Sequence, residues 1–360
     1  MAVNYDLANL APGAASGLTF RNRIINGDMR IDQRNAGASV TPAAGTSTFI
    51  VDRFSAYGTQ ASKFSAQQNA GSVTPPVGFS NYLGATSLSA YSSISTDLFR
   101  LFHSIEGYNI SDFAWGTVSA KTVTLSFWVR SSQTGTFGGS LQNSSNNRAY
   151  AFTYTIIASN TWEFKTITIP GETSGTWNST NGVGIAINFD LGAGSTKQIA
   201  PGSWQAVDAN AATGCVSTVG TNGATLYITG VQFEQGITAT PFERRPINLE
   251  LMLCQRYYET TRYPAATFTQ SSTIIYIAGT ANYAPGRYFT VVKRATPTVV
   301  IYSRNNTSAS ASAVATGSNI TGTVSAEGIS TTGFWSTSSG SGTYTAGTAY
   351  EAGYTADAEL

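Results

Sequence analysis

Apolar and polar side chains alternate along most of the chain in the way that is typical of short antiparallel strands. In TVTLSFWVR (residues 122–130), every second residue from Val123 to Val129 is apolar, whereas Trp128 lies on the polar face. A period of two residues buries one face of a strand and exposes the other. Similar patterns occur at residues 150–157, 162–169, 183–189 and 224–233. Many short strands without helices between them predict a jelly-roll sandwich over residues 21–245.

The period changes after Pro246, a residue that suits the first turn of a helix. Apolar residues then recur at steps of four, three and four, which predicts a short linking helix over residues 246–262. The stripe consists of Ile247, Leu251, Cys254 and Tyr258. The helix has two interpretations. In the first, the helix packs on its own sandwich. In the second, the stripe contacts two further copies of the chain on a threefold axis. Apolar residues occur on more than one side of the helix, which favours the second interpretation.

Strand patterns return in the last part of the chain, at residues 273–278, 288–292, 298–302 and 350–355. They are separated by tracts of Ser, Thr, Gly and Ala, so residues 263–360 are predicted to form a small β-sandwich. Residues 1–20 have no clear periodicity and are predicted to form an arm. The expected fold class is therefore all-β: an N-terminal jelly-roll sandwich, one short linking helix and a C-terminal small β-sandwich.

Charge is scarce and balanced in this chain of 360 residues. Charged residues make up 11% of it, against about 25% in typical soluble domains, and 20 basic residues face 19 acidic ones. Without a basic stripe, nucleic-acid binding is not expected. The N-terminus lacks the pattern of a secretory signal, and no apolar run approaches the roughly 20 residues needed for membrane insertion. The two cysteines, Cys215 and Cys254, do not imply a disulfide framework.

Three segments carry a family resemblance. They are RNRIINGDMRIDQRNAGAS with VDRFSAY, TVTLSFWVRSSQTGTFGGSLQN with WEFKTITIPGETSGTW, and GVQFEQGITATPFERRPINLELMLCQRYYE. In order and spacing they resemble tail-fibre-like proteins of bacteriophages and prophages. The resemblance implies a homotrimeric virion fibre or receptor-binding protein, made in the host cytoplasm and located on the virion exterior. Residues 1–20 would then attach to other virion proteins, and residues 263–360 would form a distal tip that recognises a host surface glycan.

The first module also resembles carbohydrate-binding jelly rolls, which often share a structural calcium. Asn26-Gly27-Asp28 matches their opening strand, and residues 227–234 match the closing strand beside it. The closing strand has Thr229-Gly230 where the calcium-binding form has an acidic residue. Calcium prefers several oxygen ligands, including carboxylates, and the candidate ligands are Asp28 and Asp32. No other cofactor is expected.

No catalytic constellation is evident in the sequence. His103, the only histidine, lies in an apolar segment and is expected to be packed, so a His-based triad is not predicted. Glycan cleavage needs two opposed carboxylates, and spacing alone cannot show such a pair among the acids of the first module. These are Asp97, Glu106, Asp112, Glu163, Glu172 and Asp190. A non-enzymatic protein is predicted, with a polysaccharide depolymerase and a capsid or tail decoration protein as alternatives.

Aromatic residues are the candidate ligand contacts, because aromatic faces among adaptable polar residues make good recognition surfaces. The candidates are Phe334, Trp335 and Tyr344 in the last module, and Trp128 and Trp177 in the first. The alternative for each is packing, under a loop, on an edge strand or against another subunit. Arg244 and Arg245 are expected to neutralise Glu243 or Glu250 rather than to bind ligand.

Overall fold

The fold consists of antiparallel sheets and one parallel pair, between the two-residue strands Gln198–Ile199 and Ala211–Ala212, and the computed structural model describes it over most of the chain. The described residues are 20–261, 276–277, 286–314, 316–319, 323–339 and 349–360. Tyr344 and the predicted arm, apart from Phe20, lie outside these ranges. The described chain contains no helix whose length and hydrophobicity would let it cross a bilayer.

The first module contains strands β1 to β14. In chain order they are β1 Thr48–Val51, β2 Phe54–Gly58, β3 Phe64–Gln68, β4 Leu83–Ser87, β5 Leu98–Glu106, β6 Val123–Ser131, β7 Gly135–Gln142, β8 Ala149–Ile156, β9 Glu163–Ile169, β10 Val183–Ala193, β11 Gln198–Ile199, β12 Trp204–Gln205, β13 Ala211–Ala212 and β14 Thr225–Gln235. Short 3-10 helices lie between them at Ala70–Ser72, Gly107–Asn109, Ser111–Phe113 and Ser195–Lys197.

Two sheets form the body of this module. One has the order β1-β2-β5-β10-β7-β8-β12 and the other the order β3-β4-β14-β6-β9, and the strand pairs within each are antiparallel. The sheets share one core. Phe127 of β6 meets Phe189 of β10 and Tyr154 of β8 with ring centroids 5.1 Å apart in both pairs. Rings from one sheet thus pack on rings from the other, and the predicted β-sandwich is confirmed.

The segment after Phe20 lies beside β14, as the resemblance to carbohydrate-binding jelly rolls implies. Arg23 donates its backbone N–H to Phe233 O at 2.8 Å, and Val231 donates to Gly27 O at 2.9 Å. Between these bonds, the Asn22 side chain accepts from Phe233 N at 3.0 Å and donates to Val231 O at 3.2 Å. The beginning and the end of the sandwich are therefore joined along one strand.

The only α-helix of the described residues, α1, spans Ile247–Gln255 and is shorter than predicted. Its buried side packs on the first module, where Cys254 shares a small apolar cluster with Ile25, Ile31 and Tyr257. Tyr258, assigned to the helical stripe by its spacing, lies instead in strand β15 (Tyr258–Thr260), because the chain leaves the helix after Gln255. Cys215 and Cys254 are both free thiols.

The last module contains the remaining strands in three small antiparallel sheets, with the orders β15-β23-β18, β16-β22-β19 and β17-β21-β20. The strands are β15 Tyr258–Thr260, β16 Tyr276–Ile277, β17 Arg287–Tyr288, β18 Thr298–Tyr302, β19 Ser312–Ala313, β20 Thr323–Glu327, β21 Gly333–Ser339, β22 Ala349–Glu351 and β23 Gly353–Asp357. A second core, separate from that of the sandwich, lies among them around Phe289, Phe334 and Tyr354.

Buried and partly exposed ion pairs join the two modules. Glu359 accepts hydrogen bonds from the guanidinium groups of Arg53 and Arg34 of the first module, and Arg34 also bonds Asp357 at 2.8 Å. On the other side of the joint, Arg256 donates two bonds to Glu106, at 2.6 and 2.9 Å. The charges that attach the last module to the sandwich thus come from its final residues and from Arg256, which follows α1.

Candidate functional site

An aromatic groove lies on the outer face of the sheet that contains β6, β9 and β14. It has a volume of about 500 Å³ and is covered on one side by the loop after β14. Its lining residues are Phe79, Ser126, Trp128, Phe164, Gly230, Ala239, Thr240, Pro241, Phe242 and Arg244. Mostly apolar walls with a few polar groups are characteristic of small-molecule binding sites. We call this site the aromatic groove.

Trp128 forms one wall of the aromatic groove, and among the described residues its indole N–H has no hydrogen-bond acceptor. The alternation along β6 places Phe127 in the core and Trp128, half-buried, on the outer face. Four other tryptophans donate their indole N–H to backbone carbonyls at 2.8–3.1 Å: Trp115, Trp162, Trp177 and Trp204. Within the described chain no acceptor is bonded to Trp128 Nε1, so this N–H remains available to a ligand.

Phe164 extends the surface of Trp128 across the neighbouring edge strand. It is directly opposite Trp128 in the β6–β9 register, with ring centroids 5.4 Å apart, and is 46% exposed. Cross-strand aromatic pairs of this kind are in mutual contact on one face of a sheet. The sequence analysis missed this residue; the available signal is that Ile167 and Ile169 share the other face of β9, which leaves Phe164 on the solvent face.

Two buried polar side chains of β14 hold the loop that covers the aromatic groove. Glu234 accepts hydrogen bonds from the backbone N–H and the hydroxyl of Thr240, at 2.9 and 2.7 Å. Gln232 accepts from the backbone N–H of Glu243 at 2.8 Å. These anchors fix both sides of Pro241 and Phe242, so the wall of the groove opposite the sheet is preorganised.

Gly230 allows the rings of the aromatic groove to lie close to the sheet. It has φ = +60°, and the register with β6 shifts between Thr229 and Gln232. A Cβ at this position would lie 2.6 Å from the ring of Phe79 and 3.2 Å from that of Trp128. Both the left-handed backbone and the space above it therefore require glycine. Gly230 of the Thr229-Gly230 pair thus has a packing role in the groove.

Arg244 provides the positive charge of the aromatic groove. Its guanidinium lies over the rings of Phe79 and Phe242, 4.5 and 5.5 Å from their centroids, and its side chain is 47% exposed. The expectation that it neutralises Glu243 or Glu250 is wrong, because its ion pair is with Asp28, at 3.8 Å. The expectation holds for Arg245, which pairs with Glu250 at 3.4 Å and Glu243 at 3.7 Å.

Trp177 lies outside the aromatic groove, in a cluster of three indoles. Its ring centroid is 4.8 Å from that of Trp115 and 5.4 Å from that of Trp204, edge to face in both pairs. The cluster packs against the sandwich core, and the indole N–H of Trp177 is bonded to Ser174 O. The packing interpretation therefore describes Trp177 better than a ligand contact.

Phe334 and Trp335 face opposite sides of strand β21. Phe334 is 3% exposed and packs on Phe289 and Tyr354, so its assignment as a ligand contact does not hold. Trp335 is 44% exposed, and its ring covers Gly328. Tyr344, the third candidate of this module, lies outside the described residues. Of the described candidates in the last module, only Trp335 remains accessible.

The predicted oligomer contact is largely buried within one chain. Cys254 and Tyr258 are buried within their own chain, so they do not face another copy, and that part of the prediction fails. Leu251 is half-buried in the cluster around Cys254, whereas Ile247 is exposed. Of the predicted oligomer contacts, Ile247 at the start of α1 is therefore the one that is exposed.

The candidate calcium ligands have other partners. The Asp28 carboxylate is 2.6 Å from Arg30 Nε, and Asp32 accepts from the backbone N–H groups of Asn35 and Gly37, at 2.9 and 2.6 Å. Burial raises the pKa of Asp28, although Arg30 and Arg244 lower it. Among the described residues no three His, Cys, Asp or Glu side chains gather as a metal site. This donor set does not fit calcium.

The candidate catalytic groups have structural roles. His103 is buried edge to face against Phe54, and burial holds its pKa well below the usual 6.5. Burial also raises the pKa of Asp190 to about 7, while its carboxylate accepts from Gly192 N. The other acids are held by hydrogen bonds or ion pairs, Asp97 by Tyr91, Glu106 by Arg256, Asp112 by Arg23, Glu163 by Lys165 and Glu172 by Arg148. Within the described chain none of these groups lines the aromatic groove.

Comparisons with known proteins give low similarity. No family model and no curated protein match the sequence. Among solved structures, the enzymatically active domain of tailspike protein 4 of bacteriophage CBA120 aligns with 60% of this chain and 22% of its own, at 13% identity and a TM-score of 0.32. A putative sugar-binding protein from Bacteroides thetaiotaomicron aligns over 60% and 100%, at 11% identity and a TM-score of 0.34.

A family 11 carbohydrate-binding module from Clostridium thermocellum, solved with a mixed-linked tetrasaccharide, is a further neighbour. It aligns with 56% of this chain and 98% of its own, at 12% identity and a TM-score of 0.27. Similarities of this size carry no argument about function, which has to be derived from the residues of the aromatic groove.

Proposed function

We propose that the protein recognises a carbohydrate in the aromatic groove and does not cleave it. The observation that supports this proposal is the pairing of Trp128 and Phe164 on an open sheet face, with an unbonded indole N–H beside them. A pyranose has an apolar C–H face that packs on aromatic rings and hydroxyl groups that need hydrogen-bond partners. The candidate acids are held by hydrogen bonds or ion pairs and do not line the groove, which supports binding without hydrolysis.

We propose further that the protein is a receptor-binding fibre component of a tailed phage, acting on the virion exterior as a homotrimer. The support is the resemblance of the three segments within residues 21–259, together with a low-charge β structure that presents a recognition groove. In this proposal residues 1–20 attach to other virion proteins. The glycan site lies in the sandwich, in addition to any contact made by Trp335 in the last module.

The test is carbohydrate binding by the purified chain, measured first on a glycan array of bacterial surface polysaccharides and then by calorimetry. Covering about 80 Å² of the Trp128 ring with a sugar stabilises the complex by about 2 kcal/mol, so Trp128→Ala should weaken binding about 30-fold. Phe164→Ala should act in the same direction. Tyr108→Ala is the control, because Tyr108 is 58% exposed in the same module and lies away from the groove.

Other outcomes would point elsewhere. If Trp335→Ala removed binding while Trp128→Ala and Phe164→Ala left it intact, the glycan site would lie in the last module. Release of oligosaccharides from a bound polysaccharide would identify a depolymerase. Labelled protein on the capsid or tail body, combined with no binding to any glycan, would identify a decoration protein.

A further inference from the structure

Arg244 is held in place before any ligand binds. Its guanidinium stacks over Phe79 and Phe242, and its Nη2 donates to the carbonyl oxygen of Gly78. Stacking and one hydrogen bond restrict a side chain that would otherwise lose much rotamer freedom on binding. Among the described residues, this bond engages one of the five N–H donors of the guanidinium, so most remain for a ligand.

The charge of Arg244 is only partly neutralised by the protein. Asp28 is shared between two arginines, with Arg30 at 2.6 Å and Arg244 at the longer distance of 3.8 Å. Arg245 in turn is shared between Glu243 and Glu250 beside Asp28, so acids and arginines balance in this cluster. Because Asp28 is 3% exposed whereas Arg244 is 47% exposed, it is the positive charge of Arg244 that is presented on the side of the groove.

No other charge competes with Arg244 in the aromatic groove. It is the one ionisable side chain among the described residues that line it. The hydroxyl of Thr240 is already donated to Glu234 at 2.7 Å, so it is not a strong donor to a ligand. A guanidinium beside aromatic walls favours a planar anion, which it can bind through two parallel N–H donors.

We infer that the aromatic groove takes an acidic glycan, with a sugar carboxylate on Arg244 and its ring on Trp128 and Phe164. This inference rests on the proposed carbohydrate binding and specifies its ligand class as sugars such as uronic or sialic acids. Neutral sugars would occupy the same aromatic surface without the charged contact and would bind more weakly.

The test uses an array of acidic oligosaccharides, each paired with its carboxyl-reduced neutral counterpart. The measured quantity is the affinity ratio between the two members of a pair. A charge-assisted hydrogen bond contributes enough to make this ratio about 10 to 100 in the wild type. Arg244→Gln should bring it close to one, and Arg244→Lys, which keeps the charge but loses the planar fork, should give an intermediate value.

Arg130→Gln is the matched control, because Arg130 lies over Tyr227 on the same sheet but does not line the groove. It should leave the ratio unchanged. A ratio near one in the wild type, with binding still lost in Trp128→Ala, would overturn the acidic specificity and leave carbohydrate binding intact. Absence of binding to any member of either set would overturn both. Equal loss of the ratio in the Arg130 variant would show a general charge effect and refute the role of Arg244.

Discussion

Glu359 is the acidic residue at the centre of the joint between the two modules, so its replacement tests how the joint is stabilised. Its carboxylate is 6% exposed and accepts from Arg53, whose side chain is 1% exposed, and from Arg34. Glu359→Gln preserves the shape of the side chain and removes only the charge. Arg53 would then be a buried cation without its anion, whereas Arg34 would keep Asp357.

The expected loss follows from the burial of Arg53. Removing one partner of a buried ion pair costs about 3–5 kcal/mol, because the remaining charge is left uncompensated. Arg53 keeps two other contacts, a hydrogen bond to Ser104 O at 2.5 Å and the face of Tyr257 at 3.6 Å from the ring centroid. Because these contacts partly compensate the charge of Arg53, we expect Glu359→Gln to lower the free energy of unfolding by about 3 kcal/mol, the lower end of that range.

Urea denaturation followed by tryptophan fluorescence measures this loss. Asp112→Asn is the control, since it breaks an exposed pair with Arg23 and should change stability by about 1 kcal/mol or less. Replacing both partners with apolar residues, Arg53→Met with Glu359→Leu, should recover most of the stability, because neither member of this pair is then left as an uncompensated buried charge. A loss below about 1 kcal/mol in Glu359→Gln, or no recovery in the double variant, would refute the argument.

Three further predictions concern the groove, a buried acid and the assembly. Gly230→Ala should abolish carbohydrate binding, because the new Cβ displaces the rings of Phe79 and Trp128. Gly223→Ala is the control: Gly223 has φ = +75°, so the backbone strain is similar, but its new Cβ would have no neighbour within 4 Å and binding should be normal. Asp190→Asn should be nearly neutral at pH 4 and stabilising at pH 8 in urea denaturation. Because the pKa of Asp190 is raised from 3.8 to about 7 in the folded state, this carboxyl contributes stability below pH 4 and loses that contribution as the pH rises through 7. If the stability difference between Asp190→Asn and the wild type were the same at pH 4 and pH 8, the prediction would be contradicted. Ile247→Glu should convert the proposed trimer to monomer in light scattering, and a monomeric wild type would refute that assembly.

The periodic parts of the fold were predictable from sequence. The alternation in TVTLSFWVR predicted both strand β6 and the outward position of Trp128, because a strand has two faces and only one is apolar there. The same rule applied to β21 would have separated Phe334, which is buried, from Trp335, which is exposed. The Ser- and Gly-rich sequence around these two residues is typical of a loop rather than a strand, and a loop would let both side chains reach one surface.

The rest of the aromatic groove depends on contacts between distant parts of the chain. Phe79 and Phe242 lie in segments without periodicity and meet at 5.2 Å only after the loop is anchored by Glu234 and Gln232. Arg244 was expected to pair with a sequence neighbour, but Asp28, far away in sequence, is its partner. The hydrophobic pattern of one segment does not predict contacts between residues that are so far apart in the sequence.

The position of strands in their sheets sets the order in which the protein can form during synthesis. Strand β14 lies between β4 and β6, and β23 lies between β15 and β18, although each is the last strand of its module. The sandwich therefore cannot close until residue 235 has left the ribosome, and the last module cannot close until residue 357 has. Both modules rely on slow, long-range pairing, and until then their apolar strand faces need protection from aggregation.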